Sequence, residues 1–180
     1  MRYVALLRAV NVGGRNILPM AALKQCLEAI GLGNVRTFIQ SGNVVFESGE
    51  RSRSALTARV ELAVKSATGI QSRIVLLSQA QLEAVLAAAP ASWRRRTDLR
   101  KNIAFLRPGT TATQAVKAVR VNPAVDEVTA GKGVLYMATL MSGLQKSGLR
   151  TLIGTPAYRE MTIRTYGTCE RILALMEAPA

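Results

Sequence analysis

Histidine is absent from all 180 residues, and acidic residues are scarce, with 11 Asp and Glu against 24 Lys and Arg. The first absence removes Ser–His and Cys–His nucleophile pairs, imidazole acid–base catalysis and the commonest transition-metal ligand, so no metal site is expected. Aromatic residues make up 4% of the chain, too few for a broad base-stacking surface. No apolar run approaches the about 20 residues that cross a bilayer. The stretch Tyr3 to Val10 is broken by Arg8 and carries no cleavage pattern of a secretory leader. A cytoplasmic protein without a membrane partner is therefore expected. The two cysteines sit at helical spacing among apolar residues, Cys26 with Leu23, Leu27 and Ile30, and Cys169 with Ile172, Leu173 and Met176. Both are expected as unpaired core thiols rather than as a disulfide or a nucleophile.

What is present is a globular composition, 49% hydrophobic with a mean hydropathy of +0.18. The net charge of +13 draws polyanions at long range and makes such binding salt-sensitive. A nucleotide or nucleic acid is the partner this suggests. Only six of the 24 basic residues are Lys, so a compositional drift toward Arg accounts for the same excess.

Hydrophobic periodicity spells two similar halves. "RYVALLRAV" reads as a strand, Pro19 opens a helix whose inner face is Leu23, Cys26, Leu27 and Ile30, and Gly31 and Gly33 close it. "VRTFI" and "VVFES" form a hairpin through "QSGN", where Gly42 supplies a positive φ. Residues 52–68 predict a helix with Leu56, Val60, Ala63, Val64 and Ala67 inward, stopped by Gly69 before the strand "SRIVLL". Ser78 and Gln81 form a capping box for a linking helix that buries Leu82, Val85, Leu86 and Ala89. From Asn102 the order recurs: strand "IAFL", a helix from about Thr111 with Val116 and Val119 inward, strand "AVDEV", turn "AGKG" and strand "VLYM". A helix over Lys146 to Ile153, strand "MTIRT" and a last helix through Met176 complete it. The expected class is α+β, with two ferredoxin-like βαββαβ subdomains of antiparallel strands joined by a helix. The divisions are residues 1–77, a linking helix and basic loop over 78–101, and 102–180.

In a βαββαβ sheet of order 4-1-3-2, three connections emerge at one rim. They are the loop leaving the first strand, the hairpin between the second and third, and the turn before the fourth. That rim collects Asn11, Gly13, Gly14, Arg15, Asn16, Gln40, Ser41, Gly42 and Asn43. Glycines allow close backbone approach, a helix N-terminus favours negative charge, and amides and a hydroxyl fix orientation, so the set suits an anion. It holds no carboxylate or imidazole and thus no evident general base. The same residues also serve ordinary turns, and "VNVGGRN" does not give the G-x-G-x-x-G dinucleotide fingerprint. A second basic segment, "PASWRRRTDLRKN", offers Arg94, Arg95, Arg96, Arg100 and Lys101 as a docking strip for phosphates, with Trp93 as a stacking surface at its edge. The alternative is a solvated loop.

The run "YVALLRAVNVGGRNILPMAALKQCLEAIGLGNVRTFIQSGNVVFES", residues 3–48, closely resembles the opening of the bacterial family called domain of unknown function 1697. In that family a strand, an N-V-G-G loop, a helix ending G-L-x-N-V and a Q-S-G-N hairpin follow in this order. "VLYM", Ser147 with Leu149, and "MTIRTYGTCERILALME" resemble later segments more weakly. The resemblance implies ferredoxin-like subdomains and matches Asn11, Gly13, Gly14, Gln40, Ser41, Gly42 and Asn43 to motif positions. It brings no activity and no cofactor. The family's R-N-W-N-T is replaced here by Arg164 to Thr168, and its S-K-L by Ser147, Gly148, Leu149. Three functions stay open: binding of a phosphate-bearing or other anionic ligand at the glycine loop, a small-molecule enzyme without histidine chemistry, and a protein-interaction module.

Overall fold

The computed structural model describes residues 1–14 and 16–179. Its elements are β1 (Arg2–Leu7), α1 (Met20–Ala29), β2 (Gly33–Phe38), β3 (Asn43–Glu47), α2 (Arg53–Thr68), β4 (Ile74–Ser78) and α3 (Gln79–Ala87). There follow β5 (Leu99–Leu106), α4 (Ala112–Lys117), β6 (Asp126–Gly131), β7 (Val134–Leu140), α5 (Pro156–Arg159), β8 (Met161–Thr165) and α6 (Tyr166–Glu177), with 3-10 turns at Ala91–Arg94, Met141–Lys146 and Gly148–Leu152. The two sheets have strand orders β2-β3-β1-β4 and β6-β7-β5-β8, every pair antiparallel. The α+β class with two ferredoxin-like units is thus the architecture adopted. The chain divides into one compact unit of Met1–Leu82 with Arg171–Ala180 and another of Glu83–Glu170, so the divisions fall within α3 and α6.

In the first unit, strand alternation puts Tyr3, Ala5 and Leu7 on one face beside Val44, Phe46, Ile74 and Leu76. Leu23 and Leu27 of α1 and Leu56, Val60 and Val64 of α2 cover that face. Each such side chain withdrawn from water contributes about 1.5–3 kcal/mol. Helix α2 starts where the Ser52 hydroxyl accepts the Ala55 N–H at 3.3 Å, and it stops at Gly69, whose φ of 70° permits its N–H to bond the Lys65 carbonyl at 2.8 Å. Ala67 is exposed rather than inward, because the stripe ends at Val64 one turn before the helix does. The Arg2 guanidinium donates to the Met176 carbonyl at 2.5 Å and pairs with Glu47 at 3.2 Å, tying the chain's last helical turn to β1.

The second unit repeats the plan with Ala104, Leu106, Leu135, Met137 and Met161 beneath Ala115, Val119 and Leu152. Thr111 and Gln114 form a full capping box on α4, and Ser78 and Gln81 cap α3 as expected, at 3.3 and 3.0 Å. Several boundaries differ from expectation: β1 stops at Leu7 rather than Val10, β4 starts at Ile74 rather than Ser72, β6 starts at Asp126 rather than Ala124, and three larger differences fall in the second unit. Strand β5 begins at Leu99 rather than Asn102, because Leu99, Arg100 and Lys101 pair with Leu140, Thr139 and Ala138. Strand β6 runs to Gly131, through the first two residues of the expected "AGKG" turn. The helix expected over Lys146 to Ile153 is instead two 3-10 turns separated at Ser147, whose φ of −64° and ψ of 127° are extended. There a buried carboxylate outcompetes helical bonding, since the Ser147 hydroxyl donates to Asp126 at 2.6 Å and the Gly148 N–H at 2.8 Å. Cys26 and Cys169 are buried and unpaired. Burial raises the Cys26 thiol pKa and pushes that of Cys169 up to about 12 against the opposing pull of the Arg164 guanidinium.

Candidate functional site

The chain leaves β1 through a run of left-handed backbone: Ala9 at φ 55°, Asn11 at 54°, Gly13 at 58°, Gly14 at 71° and Asn16 at 49°. The Asn11 N–H donates to the Asn16 carbonyl at 3.0 Å, so the chain doubles back across Gly13 and Gly14 in the manner of a small hairpin whose two central residues need positive φ. Neither glycine has any atom within 4 Å of where a Cβ would stand, and among the described residues no partner bonds either amide. Both are exposed. Arg15, expected in the same set, lies outside the described residues.

The asparagines act as braces. The Asn11 amide donates to the carbonyls of Leu18 at 2.9 Å and Gln40 at 2.7 Å, while its oxygen accepts the Leu18 N–H at 2.8 Å. Asn16 donates to the Ala9 carbonyl at 2.9 Å. Asn43 is fully buried and donates to the Phe38 carbonyl at 2.9 Å and the Ser41 hydroxyl at 3.0 Å. Gly42 is required by contact as well as by its φ of 72°, since a Cβ there would stand 2.3 Å from Val10 Cγ2 and 2.9 Å from Leu7 Cβ. The loop and hairpin residues therefore do gather at one rim. Their amide side chains point into its construction, and Gln40 and the Gly13–Gly14 backbone face solvent.

Two further residues stand at this rim. The β1–β4 register pairs Leu7 with Ile74, and one step beyond it the Arg8 N–H donates to the Arg73 carbonyl at 2.9 Å and to the Ser72 hydroxyl at 3.1 Å. The Ser72 hydroxyl returns a bond to the Arg8 carbonyl at 2.8 Å. Arg8 and Arg73 are thus directly opposed, on the sheet face away from α1 and α2 by strand alternation. Among the described residues Arg73 makes no ion pair. The neighbouring acid, Glu61 of α2, accepts the Ile74 N–H at 2.9 Å from the other face. The signal for this pair was available in the sequence, because both arginines abut apolar strands whose pairing the topology already dictates. Helix α1 starts at this end with Pro19 as its N-cap and, among the described residues, no side-chain cap on its first amides.

Three exposed apolar side chains frame the rim: Val12 at 62%, Ile17 at 71% and Ile39 at 49% exposure. Ile39 is also left-handed, at φ 49°, a conformation that costs a β-branched residue about 1–3 kcal/mol.

The basic segment of the second unit is built differently from a continuous strip. Trp93 is 2% exposed and packs edge-on against Tyr136 and Tyr166, with ring centroids at 5.9 and 5.5 Å, so it faces the core and offers no stacking surface. Its indole N–H is buried without a partner among the described residues. Arg96 bonds both oxygens of Asp98, at 3.0 and 2.6 Å, and reaches Glu127 at 2.9 Å. Lys101 donates to the Trp93 carbonyl. Arg94, Arg95 and Arg100 remain exposed, Arg94 beside the Tyr166 hydroxyl.

The second unit also holds a buried polar cluster. One oxygen of Asp126 accepts from the Thr139 hydroxyl at 2.8 Å and the Ser147 hydroxyl at 2.6 Å, and the other from the N–H groups of Asn122 at 3.0 Å and Gly148 at 2.8 Å. Burial alone would raise its pKa, but these donors outweigh burial and hold it below the ordinary carboxylate value. With four donors the carboxylate is saturated, and it serves as a clamp between β6, β7 and the second 3-10 turn. Among the described residues no three His, Cys, Asp or Glu side chains gather in a way that would hold a metal. No helix among them is long and apolar enough to cross a membrane.

A family model described as a protein of unknown function (DUF1697) matches residues 1–136. Among solved structures the chain is similar to the conserved bacterial protein SP0830 from Streptococcus pneumoniae, at 30% identity and a TM-score of 0.85, over 98% of each chain. No curated protein matches it.

Proposed function

The chain belongs to the DUF1697 family of proteins of unknown function, and we propose that it binds a phosphate-bearing or other anionic ligand, such as a nucleotide or nucleic acid, at the rim of the glycine loop. The observation that carries this reading is a difference between the two units at one backbone position. In the second unit the Arg107 N–H donates to the Glu160 carbonyl at 3.0 Å, as Arg8 does to Arg73 in the first. There the side chains neutralise each other, with Arg107 and Glu160 paired at 3.0 Å. In the first unit the acid is replaced by Arg73. Arg73 is exposed and, among the described residues, makes no ion pair, so its guanidinium is the charged donor that this rim offers an anion. The exposed Gly13 and Gly14 amides add donors on the loop at the same end of the sheet.

Calorimetric titration of the full chain with pyrophosphate at low ionic strength tests this. The natural protein is expected to bind, with affinity falling as salt rises. Arg73→Glu, which places there the residue type that stands at the matching position of the second unit, is expected to weaken binding about 100-fold, or about 2.7 kcal/mol. Replacing Arg94 and Arg95 with Ser should leave binding unchanged. Absence of pyrophosphate binding by the natural chain, or equal binding by Arg73→Glu, refutes the proposal.

A further inference from the structure

We propose that the outer edge of β6 is a docking site for an extended acidic segment of a partner protein, which joins the second sheet as an added strand. This site belongs to the second unit and does not depend on anion binding at the rim of the first. The strand orders make β2, β4, β6 and β8 the edges of their sheets. An unpaired edge offers N–H and C=O groups to any strand that meets it, and folded chains blunt such edges.

Antiparallel pairing turns alternate residues inward and outward, so one backbone bond fixes which residues of an edge strand face away from the sheet. The Arg8 N–H bonds the Arg73 carbonyl, which turns Ile74, Leu76 and Ser78 of β4 outward. There the Glu61 carboxylate takes the Ile74 N–H at 2.9 Å and the Gln81 side chain takes the Ser78 N–H at 3.0 Å. The Arg107 N–H bonds the Glu160 carbonyl, which turns Met161, Ile163 and Thr165 of β8 outward, and the Arg164 guanidinium covers the Ile163 carbonyl at 2.9 Å. Strand β2 is broken by a register shift between Gly33 and Arg36, with Asn34 left-handed at φ 48°. Strand β6 has none of these devices. Its register with β7 runs unbroken from Asp126 to Gly131. The Leu140 N–H bonds the Val125 carbonyl, so Asp126, Val128 and Ala130 turn outward. Asp126 gives its N–H to the Asn122 carbonyl at 2.7 Å, but among the described residues nothing bonds the N–H or C=O of Val128 or Ala130.

The surroundings of this edge select the occupant. Over residues 99–159 the acids are Asp126 and Glu127. The first is buried and saturated, and the second is paired with Arg96 at 2.9 Å. Exposed Lys132 follows the strand at one end. At the other, Asn122 bonds Asp126 and donates its side-chain amide to the Lys146 carbonyl at 2.9 Å, so Lys146 and Arg120, both exposed, stand by that end. Among the described residues Arg120, Lys132 and Lys146 make no ion pair. On one face Val128 packs half-buried against the cluster that holds Ala115 and Val119, and on the other Thr129 is exposed. A strand laid along β6 thus meets an apolar neighbour on one face, a hydroxyl on the other and cations at both ends, which suits alternating apolar and acidic residues. A second copy of the chain, with its net charge of +13, would bring cations against cations.

The test uses a capped hexapeptide of alternating Glu and Val on the full chain, with affinity read by calorimetry and amide exchange read residue by residue by NMR. At low ionic strength the peptide is expected to bind, to slow exchange at Val128 and Ala130, and to bind about tenfold more tightly than its Lys and Val counterpart. Ala130→Pro removes an N–H that makes no bond in the free chain, a position where an edge strand accepts proline, and should weaken binding at least tenfold. The same peptide N-methylated at alternate residues tests the edge without altering the protein and should not bind. Absence of peptide binding, binding of the N-methylated peptide, or undiminished affinity in Ala130→Pro overturns the proposal. Equal binding of the Lys peptide overturns it by removing the charge that identifies the partner. Protection of the Val128 and Ala130 amides that grows with protein concentration in the absence of peptide overturns it in favour of a second copy.

Discussion

At the end of β1 the Leu7 N–H donates to the Gly42 carbonyl at 2.8 Å and the Arg8 N–H to the Arg73 carbonyl at 2.9 Å; at the end of β5 the Leu106 N–H donates to the Gly133 carbonyl at 2.9 Å and the Arg107 N–H to the Glu160 carbonyl at 3.0 Å. Backbone and strand order are the same. Beyond that the two rims part. The connection from β1 to α1 spans residues 8–19, carries five left-handed residues among those described and meets a helix without a side-chain cap. The connection from β5 to α4 spans only 107–111 and ends in a capping box that satisfies the helix start. One rim thus spends its polarity internally, through Arg107, Glu160, Thr111 and Gln114. The other leaves the Arg73 guanidinium and, among the described residues, the Gly13 and Gly14 amides to face outward. A fold specifies where such groups can stand, and local sequence decides whether they are consumed or offered.

The sharpest break in the comparison comes at the paired hairpin glycines. Gly42 and Gly133 share a φ of 72°, but a Cβ at Gly42 would meet Val10 and Leu7 whereas one at Gly133 would meet nothing within 4 Å. Gly133→Ala therefore costs only the left-handed backbone, about 1–2 kcal/mol. Gly42→Ala adds displacement of packed core side chains and is expected to cost about 3–5 kcal/mol in total. Urea unfolding monitored for both variants checks this, and equal losses would mean that the Leu7–Val10 turn yields without cost.

Much of this was legible in the sequence for a stated reason. Period-2 and period-3.6 patterns fix which faces are buried, so the element order, the strand order and the gathering of Asn11, Gly42 and Asn43 at one rim follow from patterning and topology. The roles of side chains within the rim do not follow. Whether an asparagine faces a ligand or braces a carbonyl depends on distances of about 3 Å that no spacing rule encodes, and Asn11, Asn16 and Asn43 all brace. Trp93 illustrates the same limit: its neighbours in sequence are arginines, but Tyr136 and Tyr166, 43 and 73 residues away, decide its burial. The two 3-10 turns around Ser147 were missed because Asp126, 21 residues earlier, takes the bonds that a helix would have needed.

Asp126 separates the units by a second criterion, since its charge is held inside rather than at a rim. Asp126→Asn replaces an acceptor by a donor facing two N–H groups or two hydroxyls, and is expected to cost about 2–4 kcal/mol. The native carboxyl titrates below its ordinary value of 3.8, so its contribution is whole above that pH and is lost as pH falls through the lowered native value. The stability gap between the natural chain and Asp126→Asn should accordingly be constant from pH 7 down to about 5 and close below 4. A gap that stays open at pH 2 would show that packing, and not the charge, carries the clamp.

The smallest expected effect comes from making the second rim resemble the first. The Arg107–Glu160 pair is partly exposed, with side chains 24% and 47% accessible, and such pairs are worth about 0–1 kcal/mol. Glu160→Arg removes that pairing and sets two guanidinium groups in opposition, so a loss of about 1 kcal/mol is expected, or roughly 3 °C in melting temperature for a chain of this size. The loss should shrink as salt rises, because both contributions are screened. Pyrophosphate should restore part of the stability of Glu160→Arg, yet bind the new pair more weakly than it binds the first rim. The new rim has the charges without the glycine loop, and α4 already has its first amides satisfied by Thr111. If the engineered rim binds as tightly as the natural one, two arginines suffice, and Gly13 and Gly14 serve only to turn the chain.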